Sequence, residues 1–196
     1  MTKVKGDILN RNFYRRTDVV EVSRDLLGKV LCTYFDDTLT AGLITETEAY
    51  CGRNDKACHA NDGTRTARTE VMYGEPGRSY VYLCYGIHHL FNVVTNEEEL
   101  ADAVLIRGVD PLDGTELMKQ RRGLESYKNL CNGPGKLSQA LGIRTSMSGD
   151  SLLAPPVWIE DRDVSVDDQQ IRATPRIGVD YAGDHALREW RFLLDR

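Results

Sequence analysis

Residues 79–95 read SYVYLCYGIHHLFNVVT, and this stretch decides the fold class. Ser79 to Cys84 is rich in β-branched and aromatic side chains, Tyr85-Gly86 is a turn signal, and Phe91 to Thr95 reads as a returning strand. Towards the N-terminus, Lys29 to Phe35 and Leu39 to Tyr50 read as two more strands, joined through Asp36-Asp37. Before them, Val19, Val22, Leu26 and Leu27 recur at helical spacing, with Thr17 or Asp18 as cap and Gly28 as stop, which predicts a helix over Asp18 to Leu27. Towards the C-terminus, Ala103 to Arg107 is a short strand, Thr115 to Arg122 and Lys136 to Leu141 are helices, and Val157 to Glu160 and Trp190 to Leu194 are late strands. The breaker Gly133-Pro134-Gly135 precedes the second of those helices. Hairpins mixed with separate helices predict an α+β fold. The expected form is a single compact domain over 1–196, with a mainly antiparallel curved sheet, surrounding helices and a protruding β-hairpin. A chain of 196 residues can bury enough surface to fold without a metal or disulfide staple.

The net charge is −5, from 25 Lys+Arg against 30 Asp+Glu, and this argues against a broadly basic nucleic-acid binder. The acidity is concentrated in Glu97, Glu98, Glu99 and Asp102 and in the stretch Glu160 to Asp168; the rest of the chain is net positive. Both segments read as solvated loops or element ends. No apolar run has the length of a membrane span, and the first sixteen residues lack the apolar core of a secretory signal. The five cysteines (Cys32, Cys51, Cys58, Cys84, Cys131) include no C-x-x-C pair and read as reduced thiols. A cytoplasmic location is expected, nucleoid-associated in a bacterium, with no membrane partner.

Two segments concentrate functional groups. In Glu46-Thr47-Glu48-Ala49-Tyr50, a strand would place Glu46, Glu48 and Tyr50 on one face. Taken alone this is best read as a solvated polar face; the sharper reading is one carboxylate positioning water with the other supporting it. Tyr80 and Tyr82 also share a face, either as a cross-strand ladder or as a stacking platform for planar ligands, with Arg53, Lys56, Arg65, Arg68 and Arg78 interleaved in the same region. Cys51, Cys58 and His59 match no standard zinc spacing, so no metal site is expected. His88-His89 reads as a solvent-facing pair. Gly133-Pro134-Gly135-Lys136 lacks P-loop spacing, although its helix start could take one phosphate.

The order ETEAY (46–50), His59, TRTARTEVMY (64–73), PGRSYVYLCYG (76–86), FNVV (91–94), VLIRGVDPL (104–112) and CNGPGKLSQALGI (131–143) resembles the 3-methyladenine (alkyladenine) DNA glycosylases that lack a helix-hairpin-helix. The likeness is collinear from about Leu26 onward. It implies a single-domain base-excision repair enzyme that enters the minor groove of duplex DNA containing alkylated or deaminated purines, flips the damaged nucleotide and hydrolyses its N-glycosidic bond. By resemblance, Glu48 activates the water and Arg107 helps hold that water or the nearby phosphate. Tyr50, His59 and Tyr82 sandwich the flipped base, Tyr80 lines the pocket, and Asn92 excludes the exocyclic amine of guanine. Tyr85 wedges into the vacated stack, and Arg65, Arg68, Gly86, Ile87, His88 and Lys136 are DNA-contact candidates. Gly86-Ile87-His88-His89 departs from the more apolar tip the resemblance leads one to expect.

The blocks 46–50 and 80–92 contain no lysine, so a monofunctional enzyme that leaves an abasic site is expected, acting as a monomer with no metal or organic cofactor. The range of lesions is expected to include 3-methyladenine and to extend to hypoxanthine or ethenoadenine. Two other readings stand beside this one: a non-catalytic binder of damaged or abasic DNA with the same fold, and a hydrolase of free nucleosides.

Overall fold

Side chains along the central strands alternate between two environments, and this alternation sorts the whole molecule. The structure is a computed structural model that describes residues 4–195. In chain order its elements are β1 (Asp7–Ile8), α1 (Arg11–Tyr14), α2 (Val19–Asp25), β2 (Val30–Phe35), β3 (Thr38–Tyr50), β4 (Ser79–Cys84), β5 (His88–Thr95), β6 (Asp102–Asp113), α3 (Thr115–Arg122), α4 (Pro134–Leu141), β7 (Leu153–Ala154), β8 (Val157–Asp161), β9 (Ile171–Thr174) and β10 (Arg191–Leu194), joined by loops and short 3-10 turns. The strands form one open antiparallel sheet in the order β1-β8-β2-β3-β6-β5-β4, with β10 pairing β3 and β9, and β7 pairing β8. The architecture is α+β, a single compact unit, as the sequence predicts. Among the described residues no helix is long and apolar enough to cross a membrane.

Val81 on β4, Phe91 and Val93 on β5, and Val104 and Ile106 on β6 enter the main core, with α2, α3 and α4 packed on that side through Val22, Met118, Leu137 and Leu141. Their immediate neighbours Tyr80, Val94 and Ala103 enter a second cluster with Cys58, Ala60, Met72 and Tyr73 from the long segment between β3 and β4. One sheet face therefore carries the helices, and the other carries this segment and the polar residues of interest.

Local chemistry fixes the ends of the elements. Asp18 caps α2 by accepting the N–H groups of Val20 and Glu21 at 2.8 and 3.2 Å. Gly114, between β6 and α3, has φ +69°, and a Cβ there would lie 2.3 Å from the Leu39 carbonyl oxygen, so the turn admits only glycine. Asp36 and Asp37 both adopt positive φ in the β2–β3 turn, the conformation that two-residue hairpin turns demand.

Four expectations need correction. β6 continues past Arg107 to Asp113, because Ala41–Glu46 of β3 pairs with it from Gly108 onward across register shifts. Asp102 is fully buried: it accepts the N–H of Gly52 at 2.9 Å and the Asn96 amide at 2.8 Å, and it pairs with Arg53 at 3.0 Å. Glu160 is also buried, held by the Trp158 indole N–H at 2.7 Å and by Arg162 at 2.6 Å. These two acids anchor the fold while their neighbours Glu97, Glu98, Asp163 and Asp167 stay exposed. Finally, His88 and His89 are not a solvent-facing pair, because His89 is half-buried and accepts the Thr145 N–H at 3.2 Å.

Leu31, fully buried on β2 in the main core and outside the lining of the cavity described below, is predicted to cost about 2–5 kcal/mol of stability when cut to alanine. Urea unfolding of Leu31→Ala should show a lower midpoint with an unchanged slope.

Candidate active site

On the loop-bearing face a cavity of about 610 Å³ opens between β4, β5, β6, the segment after β3, the start of α4 and residues 177–181. Its wall includes Tyr50, His59, Arg68, Tyr80, Tyr82, Tyr85, His88, Asn92, Arg107 and Lys136. The fold thus brings ten of the sequence-derived candidates to one place. Glu48 lies behind this wall with no exposed surface.

Glu48 is held from several sides. The Tyr50 hydroxyl donates to Oε2 at 2.7 Å, the backbone N–H of Ile177 donates to Oε1 at 2.8 Å, and Arg107 Nη1 stands 3.4 Å from Oε2. Arg107 Nε also donates to Glu46 Oε1 at 2.8 Å, and Arg191 of β10 reaches the same oxygen at 2.7 Å. The arrangement depends on irregular pairing of β3 with β6. The register shifts on both sides of Glu46, which leaves Thr45 and Arg107 outside the ladder. Such bulges re-aim side chains, and here Arg107 joins the face of Glu46 and Glu48. Burial works against the Arg107 charge, but Glu48 and Glu46 outweigh it and raise the guanidinium's pKa. Burial and the adjacent Glu48 push the Tyr50 phenol well above its ordinary value, so its hydroxyl remains a donor.

The aromatic wall has a defined geometry. His59 and Tyr82 meet edge-on with ring centroids 4.8 Å apart, and Tyr80 and Tyr82 lie tilted at 5.3 Å. His59 Nδ1 and the Tyr80 hydroxyl share a hydrogen bond of 2.9 Å. Rings this close leave no gap for a base between His59 and Tyr82, so those two side chains form one surface together. Asn92 is buried, and its amide N–H groups are directed to the carbonyls of Tyr80 at 3.0 Å and Leu90 at 3.4 Å.

At the mouth, the hairpin tip exposes Tyr85 (90%) and Ile87 (70%) beside Gly86, and the Ile87 N–H closes the turn on the Cys84 carbonyl at 3.2 Å. The start of α4 approaches this hairpin closely: a Cβ on Gly135 would lie 2.9 Å from the His88 ring. Lys136 donates to Asn132 at 3.0 Å, and Arg68 is exposed at the cavity rim. Arg65 is committed within its own loop, paired with Glu70 and Glu99 at 2.7 Å each and stacked over Tyr73 at 4.7 Å.

This grouping of a buried carboxylate, an aromatic cavity and an exposed hairpin tip can be set beside known proteins. A sequence profile of the methylpurine-DNA glycosylase family matches residues 12–196. The chain belongs to that family. Relatives that bear 3-methyladenine DNA glycosylase as a provisional name include one from Methanocella arvoryzae, 46% identical over 187 residues (94% of this chain, 91% of the relative). Others come from Desulfitobacterium hafniense, 44% identical over 195 residues (95% of each chain), and Chlamydia felis, 43% over 190 (96% of each).

In this methylpurine-DNA glycosylase family member, several residues around the site escaped sequence reasoning. Asp55, Arg176, Ile177, Tyr181 and Arg191 carry no local motif, and their roles come from contacts across more than 100 residues of chain. The one signal was Pro175-Arg176-Ile177-Gly178, a charged residue inside a breaker-rich loop.

His59 is predicted to remain neutral throughout the neutral range. Burial, with Arg68 adding to it, pulls its pKa down to about 4 from 6.5. The unfolded chain therefore takes up this proton first as pH falls, and the stability linked to His59 is present above 6.5 and lost between 6.5 and 4. NMR titration should place the His59 imidazole near 4, and His59→Asn should lessen the loss of stability across that window.

Proposed function

We propose that this chain excises alkylated purines, 3-methyladenine foremost, from duplex DNA by flipping the nucleotide and hydrolysing its N-glycosidic bond, leaving an abasic site. The observation that carries this reading is Glu48: a buried carboxylate with both oxygens held, directly behind an aromatic cavity that opens beside an exposed tyrosine-tipped hairpin. Glycosidic cleavage passes through an oxocarbenium-like state, and a fixed carboxylate both stabilises that charge and activates water. Arg107 orients Glu48 and helps hold the water.

The flipped base stacks between Tyr50 on one side and the joint His59–Tyr82 surface on the other. Alkylated purines such as 3-methyladenine are cationic, and each tyrosine face favours a cation by about 0.5–2 kcal/mol. Hypoxanthine and ethenoadenine, neutral but planar, are further substrates. Asn92 and Tyr80 set the floor that rejects the guanine amine. Tyr85 fills the gap left in the stack, with Gly86, Ile87 and His88 against the minor groove.

Lys136, one of the DNA-contact candidates, lines the cavity. Its place at the start of α4, hydrogen-bonded to Asn132, suits a phosphate contact, as does the rim position of Arg68. The enzyme is monofunctional on this reading, and a covalent adduct with abasic DNA trapped by borohydride would overturn that part of it.

Glu48→Gln is predicted to lower single-turnover release of 3-methyladenine from methylated duplex by at least about 10²-fold, the contribution of a positioned general base, while abasic-site duplex is still bound. Normal release by this variant would remove Glu48 from the mechanism. Absence of release by the wild-type chain at ample concentration would favour a non-catalytic binder of damaged DNA.

Few cations at the cavity mouth also predict a shallow salt dependence. Duplex affinity should fall with log[salt] at a slope of about −2 to −4, as expected for only a few neutralised phosphates. A titration from low to high salt measures it directly.

A further inference from the structure

The buried pair Arg176–Asp55 has no part in the chemistry above, yet it reaches Ala49 and Tyr50, the two residues that follow Glu48. Both side chains are without exposed surface. Arg176 grips Asp55 with two nitrogens, Nη2 reaching Oδ1 at 2.8 Å and Nη1 reaching Oδ2. Nη1 also donates to the Ala49 carbonyl at 2.8 Å, between Glu48 and Tyr50 in the chain, and Nη2 to the His185 carbonyl at 3.1 Å. The guanidinium carbon lies 4.8 Å from the centre of the Tyr50 ring and 5.2 Å from that of Trp190. The next residue, Ile177, supplies the N–H that fixes Glu48 Oε1 at 2.8 Å. Asp55 in turn accepts the N–H groups of Ala57 at 3.2 Å and Cys51 at 3.4 Å, and so holds the loop that leads to His59.

We propose that Arg176, clamped by Asp55, is a positioning residue for excision: it orients Tyr50 by lying against one face of its ring and orients Glu48 through the Ile177 backbone. This rests on the glycosylase reading and deepens it. One ion pair ties together the end of β3, the loop carrying His59 and the segment 176–177. An apolar contact could hold these segments together, but it could not direct donors at the Ala49 carbonyl while stacking on Tyr50. The fork geometry is what arginine provides and lysine lacks. With Arg176 on one face, Tyr50 has only its other face to offer a base. A shift of about 1 Å at a reacting group can cost on the order of 10²-fold in rate, so loosening this clamp should act on the chemical step more than on binding.

The test uses Arg176→Lys, which keeps the charge but not the fork, and Asp55→Asn, which keeps the shape but not the charge. Each is assayed for single-turnover release of 3-methyladenine from duplex under saturating enzyme, for affinity to duplex bearing an abasic site, and for cooperative thermal unfolding. The expected result is a maximal rate reduced by about 10- to 100-fold, abasic-site affinity within about threefold of wild type, and cooperative unfolding in at least the Asp55→Asn protein. A folded variant whose maximal rate stays within about threefold of wild type overturns the proposal. So does a parallel loss of rate and affinity, or the failure of both variants to unfold cooperatively, since either result makes the pair a scaffold only. A wild-type chain that releases no base overturns the glycosylase reading and this proposal with it; variants that match an active wild type overturn this proposal alone.

Discussion

A carboxylate with no exposed surface must be met by donors, and the local architecture follows from meeting that requirement at Glu48. Removing an ion from water costs several kcal/mol unless it is paired and hydrogen-bonded. Here the compensation comes from three places in the chain: Tyr50 two residues on, Arg107 from the neighbouring strand, and Ile177 from a distant loop, while Arg191 shares Glu46 with Arg107. A regular ladder would not supply it. The register shifts that release Thr45 and Arg107 interrupt strand pairing, and in exchange they bring a guanidinium against two carboxylates.

The two faces of the sheet divide the work. The helix-bearing face is continuous and apolar and supplies most of the burial. The other face carries a long segment with little regular structure of its own, residues 51–78, kept in place largely by buried acids. Asp102 holds its beginning at Gly52 and Arg53, and Asp55 holds the next turn. Several negative charges are therefore internal and structural. The global charge of −5 is a poor guide to the surface that surrounds the cavity, where Arg68, Arg107 and Lys136 stand.

Regular elements could be read from the sequence because their signals are local. The helix starting after Asp18, the hairpin at Tyr85-Gly86 and the helix Thr115–Arg122 all follow from spacing, caps and turn residues within ten or so positions. The face shared by Glu46, Glu48 and Tyr50 followed from strand alternation, whereas the burial of Glu48 did not, since nothing near it in the chain reveals its partners. The same limit explains Asp102 and Glu160, which stand in acidic runs but turn inward to Arg53 and Arg162. It also explains the long β6, whose continuation past Arg107 depends on the partner strand β3 rather than on β propensity; Gly108 and Pro111 would by themselves end it. Short edge strands such as β1, β7 and β9 have two to four residues and no periodicity to detect.

The pairing of β10 with β3 carries a consequence for folding. Arg191 lies opposite Glu48, and Ile177 caps the same carboxylate from 129 residues further along the chain. β3 finds β2 and β6 within the first 113 residues, whereas β10 and the Ile177 N–H come from the segment 177–194. Without that segment Glu46 would lack Arg191 and Glu48 would lack the Ile177 N–H. β10 is therefore a closing piece: without it the sheet would keep an unpaired edge along Glu46–Glu48 beside two charges, and the site is enclosed only by contacts that span more than 120 residues of chain.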